Sequence, residues 1–192
     1  CIAAEVGNRP ELAGMGTTIV CVLFAEEKVY VAHVGDSRCY CLSAGSLWQV
    51  TDDHTLANHV RKRFEDLSDE QEQRLDSLRH VVVRALGGSD LSDVQVDLTV
   101  LEPADGDLFL LCSDGLTGEL DDAQIRAVLT GGEDLGVMCD KLVEQANEAG
   151  GRDNITVMLA QVEELKETRL LRRSKDRRPA DHEDTCEDVS VS

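Results

Sequence analysis

The chain has 192 residues, 42% of them hydrophobic, and sets 38 acidic against 19 basic side chains for a net charge of −19. That length predicts one domain with room for a tail, and that apolar share suffices for a sizeable core. So negative a charge excludes the basic face of a nucleic-acid binder and fits a solvated acidic surface, a cation site, or both.

Residues 1–8 read as the end of a helix stopped near Gly7-Asn8, with Pro10 in the loop beyond. Four β-rich runs follow, "TTIVCVLF", "KVYVAHV", "SRCYCL" and "LWQVT", separated by short turns at Glu26-Glu27, Gly35-Asp36 and Ser43–Ser46. Runs this close in sequence are expected to pair antiparallel, which predicts a meander over residues 17–51. Residues 55–78 are polar and helical, and Ser68 with Gln71 forms a capping box for the second helix. "HVVVRAL" is a strand or an extended segment ended by Gly87-Gly88, and "VQVDLTVL" alternates as a half-buried strand does. After a turn over Pro103–Gly106, the continuous apolar run Leu108–Cys112 reads as a buried strand. Two helices come next. Asp121 or Asp122 caps the first; the second, over residues 134–149, gathers Leu135, Met138, Leu142, Val143 and Ala146 near one face before Gly150-Gly151 stops it. "ITVMLAQV" is the last strand. Strands segregated from helices and paired antiparallel make an α+β architecture for a domain over residues 1–162. From Glu163 onward seven basic and nine acidic residues crowd together, the pattern of a charged linker or disordered tail over 163–192.

Seven cysteines are scattered, and Cys21, Cys39, Cys41 and Cys112 lie within apolar runs, which predicts buried free thiols and a reducing, cytoplasmic setting. Cys39-x-Cys41 has no second ligand pair, so zinc is not expected. No apolar run reaches membrane-spanning length and no signal peptide is visible.

Three acidic residues stand out by placement. Asp36 in "HVGDSRCY", Asp114 in "LCSDGL" and Asp153 in "GGRDNITV" each sit at or beside the end of a β-run, among small or polar neighbours. A carboxylate at the end of a buried strand is costly unless something pairs with it. Carboxylates without a nearby Cys or His set favour hard cations such as Mg²⁺ or Mn²⁺. An Asp in a Gly-containing turn also has a purely local use, the Asx-turn, and spacing alone leaves both readings open.

Six stretches occur in order: "GMGTTIV" (14–20), "HVGDSRCY" (33–40), "VTDDHT" (50–55), "RALGG" (84–88), "LLCSDGLT" (110–117) and "GGRDNITVM" (150–158). Together they resemble the metal-dependent Ser/Thr protein phosphatases of the PPM, or type 2C, family in its bacterial form. The resemblance implies two stacked, mainly antiparallel sheets flanked by helices, an αββα sandwich. It implies that Asp114 and Asp153 bind two tightly held Mn²⁺ or Mg²⁺ ions and that Asp36 serves a third, weaker position. The activity implied is hydrolysis of phosphoserine and phosphothreonine in proteins by a water that a binuclear metal centre activates, opposite a Ser/Thr kinase. Gly115, Asn154, Thr17 and Thr18 take supporting parts: Asn154 orients the Asp153 turn, and the threonine hydroxyls bond nearby backbone. Asp53 and His54, of the family's "DH" motif, are expected to pin the loop before the helices, and His33 is expected to be a satisfied core residue.

Two departures qualify the resemblance. The family's Asp-Gly stretch of the type "DGMGG", its phosphate-binding Arg and, where present, its general-acid His all belong before residue 1, and no "DG-x-GG" occurs in this chain, which opens on Cys1. The chain therefore reads as N-terminally truncated, short of its first strands, and inactive on its own. Many relatives also carry an acidic residue four positions after the "SDG" Asp, where this chain has Gly118. The alternatives are a non-catalytic pseudophosphatase that binds a partner, and a phosphohydrolase of small phosphate esters.

Overall fold

The computed structural model describes residues 2–64, 66–87 and 94–163. The charged tail expected from residue 163 lies outside them apart from Glu163. Helix α1 (Ile2–Asn8) leads through a short 3-10 turn to β1 (Gly16–Thr17), β2 (Ile19–Ala25), β3 (Lys28–Val34), β4 (Arg38–Ser43) and β5 (Ser46–Gln49). Then come α2 (Leu56–Arg63), α3 (Asp69–Asp76), β6 (Leu86–Gly87), β7 (Asp97–Leu101), β8 (Leu108–Cys112), α4 (Asp114–Thr117), α5 (Asp122–Leu129), α6 (Leu135–Ala149) and β9 (Val157–Gln161). The caps follow from the sequence: Ser68 with Gln71 and Asp121 with Gln124 close reciprocal capping boxes on α3 and α5, and Asp134 caps α6.

The strands form two main antiparallel sheets, one ordered β2-β3-β7 and the other β5-β4-β8-β9, with β1 and β6 as a separate pair. Their inner faces meet over Val29, Val31, Cys39, Cys41, Phe109 and Val162. The opposite face of the four-stranded sheet presents Tyr40, Leu108, Leu110 and Cys112 to α4–α6, where Leu116, Ile125, Val128, Met138, Leu142 and Ala146 complete a second core. Strand β8 is thus buried on both faces, and this is why its sequence shows no alternation. Antiparallel sheets flanked by helices are as expected. No described helix is long and apolar enough to cross a membrane.

Three expectations are corrected. Residues 17–51 do not form one meander. β2 pairs with β3 and β4 with β5, but β3 and β4 belong to different sheets. The cause is Gly35, whose φ of +114° lets the chain swing from one sheet to the other, carrying Asp36 on the crossover. In β7 the alternation is real but its phase is inverted. Asp97 and Thr99 are the more covered residues, while Leu98 and Val100 stay 62% and 46% exposed. Cys21 shares that outer face and is exposed, whereas Cys39, Cys41 and Cys112 are buried as expected. The five described cysteines, these four and Cys139, are all free thiols.

Candidate metal centre

The crossover turn Gly35-Asp36-Ser37 is held on several sides. A Cβ on Gly35 would lie 2.2 Å from Thr18 Cγ2, so only glycine lets Thr18 pack here. Thr18 Oγ1 and Ser37 Oγ share a hydrogen bond of 2.9 Å, and Thr17 Oγ1 donates to the Thr18 carbonyl at 3.1 Å. The "GMG" and "RALGG" stretches meet as the β1–β6 pair, in register Gly16 with Gly87 and Thr17 with Leu86. A Cβ on Gly87 would meet the Met15 carbonyl at 2.4 Å, which explains glycine at that position. These threonines are therefore structural supports of the Asp36 turn.

Asp114 opens α4 where buried β8 ends. Its turn is clipped to the one that carries Asp153. Ser113 Oγ donates to the Asn154 carbonyl at 3.0 Å and accepts from the Thr156 N–H at 3.0 Å, and Ser113 N–H donates to the Thr156 carbonyl at 3.1 Å. A Cβ on Gly115 would come within 2.3 Å of the Asn154 carbonyl oxygen, so the two turns approach closely only because position 115 is glycine. Asn154 acts through its backbone, which also donates to Asp153 Oδ1 at 2.7 Å.

Asp36 and Asp114 line one cleft of about 90 Å³ together with Arg38, Asp53, Arg79, His80, Thr117 and Gly118. Asp153 is exposed on the adjoining turn and does not line this cleft. Asp36 is only 9% exposed, and burial, reinforced by the charge of Asp114, pushes its carboxyl above the usual range. Among the described residues neither Asp36 nor Asp114 takes part in an ion pair. Arg38, two residues from Asp36, spends its guanidinium elsewhere. It grips both oxygens of Asp53, the shortest contact being 2.6 Å, and donates to the Tyr40 hydroxyl at 2.8 Å. Burial works against the Arg38 charge, but Asp53 more than offsets this and raises its pKa. Two mutually repelling carboxylates, oxygen donors only, opening on a small cleft, fit a hard divalent cation.

Sequence reasoning missed Arg79 and His80, which reach the cleft from the end of the helical excursion, and Glu119. Glu119 has a side chain only 5% exposed and holds Arg152 by Oε1 at 2.8 Å, with the Arg152 N–H on the same oxygen at 3.2 Å. That pair braces the Gly150–Arg152 turn that leads into Asp153. No periodicity or turn signal marks Glu119, because its contact with Arg152 joins positions 33 residues apart.

Comparison with known proteins decides the lineage. The family model described as protein phosphatase 2C matches residues 4–155. The chain belongs to the protein phosphatase 2C family. It is 39% identical over 161 residues to the serine/threonine protein phosphatase PstP of Mycobacterium tuberculosis, covering 84% of this chain and 30% of that protein. It is 38% identical over 155 residues to the serine/threonine phosphatase stp of Listeria innocua, covering 79% of this chain and 58% of that one. Among solved structures, the catalytic domain of PstP in complex with two manganese ions superposes with a TM-score of 0.73 at 37% identity, covering 85% of this chain and 66% of that one. The chain spans less than two thirds of the length of either curated relative. The cleft lies just beyond the ends of β3 and β8.

Proposed function

We propose that the protein carrying this chain hydrolyses phosphoserine and phosphothreonine in proteins at a centre of two tight Mn²⁺ or Mg²⁺ ions with a weaker third. The observation that carries the reading is the cleft that Asp36 and Asp114 both line, where Arg38 and Arg79 are present yet neither carboxylate is in an ion pair among the described residues. The family membership and the manganese-bound relative support it. Asp114 and Asp153 would hold the tight ions from two turns clipped by Ser113, and Asp36 would serve the weaker one. When bound, the ions would lower the pKa of a water so that its hydroxide form is available as nucleophile toward phosphorus, and would offset charge on the phosphoryl oxygens. The chain's own residues hold the carboxylates still: Gly115 and Asn154 set the turn spacing, and the Arg38–Asp53 pair walls the cleft without neutralising Asp36.

Three carboxylates are few for two or three ions that each take about six oxygen ligands. The 192 residues alone are therefore proposed to bind metal weakly and to turn over little phosphopeptide. The substrates are phosphoproteins and the opposing activity a Ser/Thr kinase; the free thiols agree with a reducing, cytoplasmic setting. The test compares phosphopeptide and nucleotide hydrolysis by the full-length protein with Mn²⁺, with EDTA, and as Asp114→Asn and Asp153→Asn. Metal-dependent turnover of phosphopeptide, lowered by orders of magnitude in both variants, is expected. Full activity in EDTA or in either variant would refute the metal-centre assignment, and preference for the nucleotide would refute the protein substrate.

A further inference from the structure

Four polar residues lie outside the cleft, in a hydrogen-bonded group that ends at Gly35, the residue before Asp36. His33 and His54 stack with ring centroids 4.6 Å apart, both buried. His33 Nε2 donates to the Asp52 carbonyl at 2.8 Å. The Gly35 N–H donates to His54 Nδ1 at 3.1 Å, and the His54 N–H returns a bond to the Gly35 carbonyl at 3.0 Å. On the far side of the ring, His54 Nε2 lies 3.2 Å from Asp97 Oδ2, and Arg84 holds Asp97 Oδ1 at 2.9 Å.

This cluster has the composition of a metal site, since donor atoms of His33, His54 and Asp97 lie within 4.8 Å of one another. Its hydrogen bonds argue otherwise. A backbone N–H can only donate, so Nδ1 of His54 must accept and the ring proton sits on Nε2, where it faces Asp97. A metal at Nε2 would need that lone pair free, and it would stand against Arg84, whose Nη1 is 3.3 Å from Nε2. The cluster is a neutral hydrogen-bonded line running Arg84, Asp97, His54, Gly35.

We infer that His54 is a positioning residue for the metal centre: held by Asp97 and Arg84, it clamps Gly35 through both backbone groups and so fixes the direction in which Asp36 presents its carboxylate. The inference rests on the reading of Asp36 as a cation ligand. Two bonds to one glycine fix the peptide planes on either side of it, and Asp36 is the next residue. Without the clamp, Gly35 has the backbone freedom to rotate and the buried Asp36 can turn away from Asp114. Partners that orient a ligand in this way typically contribute about 10- to 100-fold in metal affinity. The "DH" and "RALGG" stretches then share one task, although they lie 30 residues apart.

The pair His54→Asn and His54→Gln separates positioning from mere packing. The Asn oxygen falls near the place of Nδ1 and keeps an acceptor for Gly35, whereas the Gln amide reaches toward Asp97 and leaves the Gly35 N–H without one. In the isotope-labelled full-length protein, hydrogen exchange reports the Gly35 amide without metal. Titrated Mn²⁺ then reports the site through broadening of the Ser37 and Gly35 signals. Expected are a protected Gly35 amide in the parent and in His54→Asn, loss of protection in His54→Gln, and Mn²⁺ binding in His54→Gln weaker than in His54→Asn by about tenfold or more. Equal exchange and equal Mn²⁺ binding in the two variants would overturn the inference. The parent also supplies an arm that needs no variant: ring nitrogen shifts must show His54 as the Nε2–H tautomer, and the Nδ1–H tautomer would overturn the clamp. A protected Gly35 with no Mn²⁺ response in the parent would instead refute the cation reading of Asp36.

Discussion

At the scale of single residues, the site trades stability for charge. Asp36 is buried beside Asp114, and both burial and repulsion disfavour its ionised form. Functional sites commonly carry such a cost. Asp36→Asn should therefore stabilise the metal-free chain at neutral pH by roughly 1 kcal/mol, the ordinary size of a single stabilising change, while weakening Mn²⁺ binding at that position. Denaturant unfolding with and without Mn²⁺ checks both halves. His54 supplies a pH signature. Burial lowers its pKa below the ordinary 6.5, the charges of Arg84 and His33 add to this, and the bond to Asp97 opposes it only in part. The unfolded chain then takes up the proton first, so stability falls as pH drops from about 6.5 through the lowered folded value. Unfolding curves between pH 7.5 and pH 5 should show the parent losing more stability across that window than His54→Asn, which has no ring to protonate.

Elements matter here mainly through the turns that join them. β8 and β9 are neighbours in the sheet, and their ends bring the "SDG" and "DN" turns together. Ser113 then ties the turns and Gly115 lets them touch. Gly115→Ala forces a methyl against the Asn154 carbonyl, a rigid backbone atom, and overpacking of this kind costs about 1–3 kcal/mol. Ser113→Ala removes one donor and one acceptor without adding bulk, at about 0.5–1.5 kcal/mol for each bond lost. Both variants should lower the melting temperature. Only Gly115→Ala should also weaken Mn²⁺ binding strongly, because it spreads the turns rather than loosening them; calorimetric melts and metal titration separate the two effects. Glu119→Gln tests the third brace. It keeps the size but removes the charge that holds Arg152, and the expected result is weaker Mn²⁺ binding with little loss of stability.

For the whole molecule, the most consequential surface is the outer face of the β2-β3-β7 sheet. Ile19, Leu23, Val96, Leu98 and Val100 are all well exposed, with Leu23 at 61% and Leu98 at 62%. A sheet apolar on both faces belongs in the middle of a layered fold, and exposed apolar area of this extent drives association. The 192-residue chain should self-associate as its concentration rises. The double change Leu23→Lys and Leu98→Lys should raise the monomer fraction in sedimentation velocity at nearly unchanged melting temperature, since neither side chain contributes to the described cores. A monomeric parent, or a variant that unfolds, would show that the face is covered or packed by the chain itself.

Local chemistry was legible in the sequence wherever the signal lies within a few residues. The capping box of Ser68, an aspartate cap at 121 or 122, the stop at Gly150, the β-runs and the Asp-bearing turns all depend on neighbours, and the ordered motifs pointed to the family. Pairing partners and sheet membership depend on contacts across tens of residues, which no short pattern encodes. So tertiary structure alone decided that the Gly35 turn crosses between sheets instead of closing a meander, and that the apolar phase of β7 faces outward while Asp97 faces His54. It also decided that Asp36 and Asp114 share a cleft, with Asp153 on the next turn. The division has a physical origin: a hydrogen bond to the next turn is chosen by residue type, whereas a carboxylate's neighbour across a sheet is chosen by how the whole chain packs.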